Sequence, residues 1–101
     1  MKLWTKAALP DVVRARRFEL VDAAGQVRAS LAVARDASAQ LALFDAARKV
    51  RASVFVAPDG SPVLEFWDAA GAPRVILAVN PNGSVFLRLC NAAGKAIWQA
   101  P

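Results

Sequence analysis

The chain repeats itself with a period of 23 residues, and this period constrains the fold more than any other feature. Each copy contains an aspartate or asparagine followed by two alanines, and three copies have an arginine six positions after the aspartate. The aligned positions are Asp22, Asp45, Asp68 and Asn91, and then Arg28, Arg51 and Arg74. Fixed-period similarity is typical of arrays whose neighbouring units bury each other's apolar faces.

Each copy contains two apolar-rich runs of strand length, separated by Asx and Gly residues. The segment Asp22-Ala23-Ala24-Gly25 is typical of a hairpin turn, because the aspartate side chain can bind backbone amides and the glycine can adopt a left-handed conformation. Arg48 stands where three copies have that glycine, and residues 35–39 lack the Pro-Asp-Gly of later copies. We therefore predict an all-β fold in which four tandem β-hairpin repeats form an antiparallel meander. Within it we expect backbone strain at Arg48, because an arginine there would have to adopt the conformation that glycine adopts in the other copies.

A chain of 101 residues is long enough for one hydrophobic core and too short for two. We expect an N-terminal extension over residues 1–13 and a single β-repeat domain over residues 14–101. The repeats within this domain are expected at about 15–37, 38–60, 61–83 and 84–101.

The turn position predicts a register for each hairpin. If the first hairpin folds about Ala23 and Ala24, Glu19 lies opposite Arg28, and by repetition Glu65 lies opposite Arg74. One face then collects only apolar side chains in every copy, as a surface that packs on a core requires. In the first two copies these are Phe18, Leu20, Val27, Ala29, Leu31, Val33, Leu41, Leu43, Val50, Ala52, Val54 and Val56.

The opposite face becomes apolar toward the C-terminus, so the sheet has to cover both sides. We therefore expect a homo-oligomer, first of all a trimeric β-prism whose sheets share one core. The alternatives are a monomeric eight-strand barrel or sandwich and a two-blade fragment of a propeller. The residues predicted to form the interface are Phe44, Phe55, Trp67, Ile76 and Trp98.

The residue types argue against an enzyme. Histidine and tyrosine are absent, which removes the commonest general base and metal ligand. No catalytic or cofactor motif is present, and we expect no metal, because the aspartate row is what hairpin turns show without any ligand. The single cysteine, Cys90, is interpreted as a packed apolar thiol. The predicted function is a non-enzymatic structural or interaction module.

The net charge of +5 supports an alternative function, which is binding to nucleic acid or an acidic glycan. Arg14, Arg16 and Arg17 form the only dense basic cluster. The arginine row at Arg28, Arg51 and Arg74 can present guanidinium groups to phosphate or sulfate, although pairing with neighbouring acidic residues is its more ordinary role.

The chain has no apolar run long enough for a membrane helix, and its first ten residues do not resemble a secretory signal. An unpaired cysteine suits a reducing compartment, so we expect a cytoplasmic location.

The pattern Leu-x-Leu-x-Asp-x-x-Gly-x-x-Arg-Ala, present from Phe18 to Ala29 and repeated through Asn91, resembles short tandem β-repeats of uncharacterised bacterial proteins and phage tail-fibre-like segments. The resemblance covers nearly all of the chain after Val13. It implies elongated, often trimeric, intertwined assemblies without an active site. The pattern is also similar to Rhs-type repeats, but the tyrosine that marks those repeats is missing, and Phe44 or Trp67 is the nearest substitute.

Overall fold

A computed structural model describes residues 8–101 of the chain. Residues 1–7 of the expected extension over 1–13 lie outside the described part. Eight strands follow one another, and the first begins at Arg17. They are β1 (Arg17–Val21), β2 (Val27–Val33), β3 (Ala39–Phe44), β4 (Val50–Val56), β5 (Pro62–Trp67), β6 (Pro73–Val79), β7 (Val85–Cys90) and β8 (Ala96–Ala100).

All eight strands belong to one antiparallel sheet in which each strand pairs with its neighbours in sequence. The predicted all-β antiparallel meander is therefore confirmed. The sheet is open, because β1 and β8 lie at its two ends and do not pair with each other. The alternative of a closed barrel or a sandwich within one chain is wrong, since the eight strands form a single layer.

The turns within the hairpins have the expected chemistry. In the first turn the Asp22 Oδ1 atom accepts hydrogen bonds from the backbone N–H groups of Ala24 and Gln26, at 2.9 and 3.0 Å. The Gly25 N–H donates to the Asp22 carbonyl at 2.9 Å, and Gly25 has a φ of 78°. The side chain thus satisfies backbone donors that the strands cannot pair.

Each hairpin contains a β-bulge that the sequence did not reveal. In β1 and β2, Leu20 lies opposite Ala29 but Val21 lies opposite Val27, so Arg28 is an extra residue. The predicted register is wrong by two residues beyond the bulge. The bulge accounts for one residue, and the turn accounts for the other, because the Asp22 N–H donates to the Gln26 carbonyl and Val21 already lies opposite Val27. Glu19 lies opposite Ser30 instead of Arg28.

The same shift occurs in the third hairpin, where Glu65 lies opposite Ile76 and not opposite Arg74. The bulges also move two valines to the other side of the sheet. Val27 and Val50 lie opposite Val21 and Phe44, away from the apolar residues with which they had been grouped.

The pairing defines two faces. On the apolar face every residue faces another apolar residue across the strands. The apolar face consists of Phe18, Leu20, Ala29, Leu31, Val33, Ala39, Leu41, Leu43, Ala52, Val54, Val56, Pro62, Leu64, Phe66, Val75, Leu77, Val79, Val85, Leu87, Leu89, Trp98 and Ala100. The other side is the mixed face, whose central row is Glu19, Ser30, Ala42, Ser53, Glu65, Ile76, Arg88 and Gln99.

The described residues do not enclose a core. Only Ala78 and Cys90 are buried among the hydrophobic residues, and both lie on the mixed face. No large side chain in residues 8–101 is fully buried. Stable domains pack at least two layers around a core, so one layer leaves the apolar face without its partner.

Two turns place a residue other than glycine in the left-handed region. Arg48 has a φ of 64°, as expected from its alignment with glycines, and Ala37 has a φ of 69°. Ala37 corresponds to Gly60 and Gly83 in the later turns between hairpins, whose φ values are 89° and 84°. The left-handed conformation costs an alanine roughly 1–2 kcal/mol because its Cβ approaches a backbone carbonyl.

We expect Ala37→Gly to stabilise the protein by about 1 kcal/mol, because glycine removes this contact while the methyl group of Ala37 is lost at an exposed turn. The free energy of unfolding in urea measures the change. Gly60→Ala is the matched control and should destabilise the protein by a similar amount. Equal stabilities for Ala37→Gly and the parent chain would contradict the assignment of strain.

Candidate interaction surfaces

The apolar face forms continuous rows across the sheet. Its central row joins a residue of every strand, and each member lies directly opposite the next. The row is Phe18, Leu31, Leu41, Val54, Leu64, Leu77, Leu87 and Ala100. No charged or hydrogen-bonding side chain interrupts it, so its interactions with a partner are those of apolar packing alone.

The exposed area of this face is large. Thirteen of its large side chains are exposed, from 37% at Val79 to 66% at Leu20. At about half of the roughly 150–200 Å² of such a side chain, they expose on the order of 1,000 Å² together. The largest apolar patch on an ordinary monomer is about 300–600 Å², whereas a stable interface buries about 800 Å² on each partner. The apolar face thus has the size of an interface.

The five residues predicted to form the interface do not share one surface. Phe44, Phe55, Trp67 and Ile76 lie on the mixed face, where they are half-buried. Trp98 lies on the apolar face opposite Leu89 and is 51% exposed. The sequence pattern predicted which side chains on each face are apolar, but it did not predict which face is more exposed to solvent.

The arginine row connects each hairpin to the next. The Nε atom of Arg28 donates to the carbonyl of Phe44 at 3.1 Å. Arg51 binds the carbonyl of Trp67 in the same way at 2.7 Å, and Arg74 binds that of Cys90 at 2.6 Å. We call Arg28, Arg51 and Arg74 the inter-hairpin arginines, because each joins its bulge to the last residue of a strand in the following hairpin.

Each inter-hairpin arginine also faces the aspartate of its own turn. The Nη1 to Oδ2 distances are 3.7 Å for both Arg28–Asp22 and Arg51–Asp45. In the fourth hairpin Ile97 replaces the arginine and Asn91 replaces the aspartate. Asn91 Oδ1 still accepts hydrogen bonds from the backbone N–H groups of the turn at 3.0 Å. Capping the turn therefore needs only the Oδ1 atom, and the negative charge of the aspartates in the other copies pairs with the arginine.

Backbone donors lower the pKa of two of these carboxyl groups below the ordinary value of 3.8. The largest effect on the Asp45 pKa is the hydrogen bond from the Lys49 N–H, and that on the Asp68 pKa is the bond from the Ala72 N–H. The nearby arginines act in the same direction. The turns therefore stabilise the charged form of the aspartates.

The basic residues do not form one stripe. Arg14 and Arg16 lie in an exposed segment before β1, and Arg17 forms an ion pair with Glu19 at 2.9 Å. The inter-hairpin arginines lie at the opposite ends of the strands from Arg17 and are engaged with carbonyl and carboxylate oxygens. The six arginines predicted to bind anions are thus divided: Arg14 and Arg16 lie in the exposed segment, Arg17 pairs with Glu19, and the inter-hairpin arginines belong to a structural network.

The described residues contain one free thiol and no cluster of metal ligands. Cys90 is a buried free thiol, and no three His, Cys, Asp or Glu side chains of residues 8–101 are grouped as metal ligands. The same part of the chain contains no helix of the length and apolar character needed to cross a membrane.

No protein-family model matches the chain, and no curated protein is significantly similar to it. The function therefore has to be inferred from the two faces and the inter-hairpin arginines.

We expect Arg51→Met to lower the free energy of unfolding by about 1 kcal/mol, because the substitution keeps the aliphatic part of the side chain but leaves the Trp67 carbonyl without its donor. A double-mutant cycle with Asp45→Asn should give a coupling of about 0.2–1 kcal/mol, as for other exposed pairs. Arg88→Met is the control, since Arg88 binds the Gln99 side chain and no carbonyl of another hairpin. A larger loss for Arg88→Met would contradict the structural role.

We expect stability to fall in acid. A carboxyl group with a lowered pKa in the folded state contributes stability above its unfolded value near 3.8 and loses this contribution as the pH falls through the folded pKa. Thermal unfolding from about pH 6 to about pH 2 should show the decline below about pH 4. The double variant Asp45→Asn, Asp68→Asn should flatten this slope, and an unchanged slope would show that other groups cause it.

Proposed function

We propose that the protein is a non-enzymatic structural module that assembles with copies of itself through the apolar face. One observation supports this most directly: residues 17–100 fold as a single layer, and nothing in residues 8–101 covers its continuous apolar face. Covering such a face requires a second layer, and the eight strands of one chain do not provide it.

The energetic argument follows from the exposed area. Removing about 1,000 Å² of apolar surface from water yields on the order of 25 kcal/mol per chain before the costs of association are subtracted. Those costs are an estimated 4–15 kcal/mol or more. The remainder is enough for a stable complex, so a chain with this face exposed is expected to associate at low concentration.

The chemistry of the face favours an identical partner. A specific partner of another kind is usually selected by charges or hydrogen bonds placed at matching positions. The apolar face carries no charge, its hydrogen-bonding side chain is the single indole N–H of Trp98, and its rows contain mainly leucine and valine across the whole sheet. Two identical faces of this kind complement each other, and closed symmetric assemblies are the commonest outcome of self-association.

A threefold prism fits the strand length. Strands of 5 to 7 residues are about 20 Å long, and three sheets of this width around an axis lie about 6 Å from it. Packed sheets lie about 10 Å apart, which places each one about 5 Å from the shared midplane. Three apolar faces can therefore fill the centre of a trimer, and we propose this stoichiometry.

The alternative function, binding to nucleic acid or an acidic glycan, has less support. Arg14 and Arg16 are exposed and remain available to an anionic polymer. Each inter-hairpin arginine, in contrast, already faces a carboxylate, so the row presents little net positive charge.

We expect Leu77→Glu to dissociate the assembly or greatly weaken it. Leu77 lies in the central row of the apolar face, and covering a carboxylate there without a partner is costly. Ile76→Glu is a matched variant, because Ile76 is the adjacent residue of β6 and lies on the mixed face. Light scattering across a roughly tenfold range of concentration measures the mass of both variants.

The two variants distinguish the faces. Dissociation by Leu77→Glu alone supports the apolar face as the interface. Dissociation by Ile76→Glu alone would assign assembly to the mixed face, where four of the five interface residues predicted from the sequence lie. A parent chain that remains a 10.7 kDa monomer at all concentrations would contradict the proposed function.

A further inference from the structure

A depression of about 720 Å³ lies on the mixed face, on the opposite side of the sheet from the proposed interface. Its lining includes the aromatic side chains of Phe55 and Trp67 and the carboxylate of Glu65. Ser53 lies directly opposite Glu65 on the neighbouring strand. Binding sites for small molecules have this size and this combination of apolar walls with few polar groups.

Glu65 is the unusual group in this depression. It is half-buried, and burial raises the pKa of its carboxyl group above the ordinary value. Within residues 8–101 no lysine or arginine forms an ion pair with it, and it accepts no side-chain hydrogen bond there. A carboxylate that is partly removed from water and has no counter-charge favours a cation beside it.

Two cationic side chains of the mixed face near the depression, Lys49 and Arg88, are engaged with other groups. The Nζ atom of Lys49, which lines the depression, donates to the carbonyl of Ala69 at 2.8 Å. Arg88 lies beyond Ile76 in the central row and donates to Gln99 at 3.0 Å. Neither neutralises Glu65, so residues 8–101 leave its carboxylate without a counter-charge.

We propose that this depression binds a small organic ammonium ion, with Glu65 as its counter-ion and Phe55 and Trp67 as the walls that contact its carbon atoms. Aromatic rings attract ammonium groups through the negative charge on their faces, and a carboxylate beside them adds the ionic attraction. A metal ion fits the site less well, because the depression offers one carboxylate and no second acidic residue. The site is independent of assembly, since the apolar face takes no part in it.

Choline is the probe, and its uncharged isostere dimethylbutanol, in which carbon replaces nitrogen, is the control ligand. Titration of the assembled protein, followed by amide chemical shifts, should give saturable shifts in β4 and β5 with choline and much smaller ones with the alcohol. Glu65→Gln should weaken choline binding by about tenfold, and Trp67→Leu by several fold. Glu19→Gln is the matched control, because Glu19 is on the same face but outside the depression.

Lys49→Gln gives a test that a purely structural effect does not imitate. The substitution removes from the wall of the depression a positive charge that repels the ammonium group of choline, so choline should bind about two- to fivefold more tightly. Equal affinity for choline and the alcohol, or unchanged affinity in Glu65→Gln, would overturn the proposal. A change of mass in Glu65→Gln would also overturn it, by showing that the depression is a contact between chains. Failure of assembly itself is measured separately by the mass of the parent chain.

Discussion

A sheet that is one layer thick has to obtain its core from outside itself, and this constraint governs the rest of the molecule. The backbone hydrogen bonds of the meander are satisfied within the chain, strand by strand. The hydrophobic side chains are not, because half of each strand points to a face that the described part of the chain leaves uncovered. Folding and assembly are therefore coupled in the proposed module, as they are in obligate oligomers without a stable folded monomer.

The edge of the sheet that contains the hairpin turns shows how such a layer holds together without a core. Each bulge places an arginine where it reaches both the aspartate of its own turn and a carbonyl of the next hairpin. The fourth hairpin supports this interpretation, since it has lost both charged partners and has kept the capping oxygen. The recurrent charges thus have a structural explanation that needs no anionic ligand.

Much of this fold could be predicted because it is encoded locally. The Asp-Ala-Ala-Gly segments specify the turns, and the alternation of side chains specifies which residues are apolar together. The bulges at the arginines could not be predicted from these signals, because one extra residue leaves the turn intact and moves only Val27 and its counterpart Val50 off the predicted apolar face. The constant spacing of six residues between Asp22 and Arg28, and again between Asp45 and Arg51, was the one sign of a shared local geometry.

The interface residues could not be predicted from the sequence, because the solvent exposure of each face depends on how all eight strands pair. Aromatic residues such as Phe55 and Trp67 were predicted as anchors, yet they are half-buried, while Leu77 and four other members of its row are exposed. Glu65 was predicted only as the partner of Arg74, and the shifted register leaves it opposite Ile76 instead. The turn and the bulge together therefore leave Glu65 without a counter-charge among residues 8–101.

Because the interface and the depression lie on opposite faces, the two faces differ in which side chains they can carry. In the proposed assembly the apolar face has to remain uninterrupted, since one buried charge would disrupt every copy of a symmetric assembly. The mixed face is not bound by that requirement, and it alone carries serine, glutamate, arginine and large aromatic side chains in neighbouring positions. If copies of the chain cover the apolar face, the mixed face becomes the outer surface and each chain presents one depression with Glu65. Residues that recognise other molecules are therefore expected to lie on the mixed face.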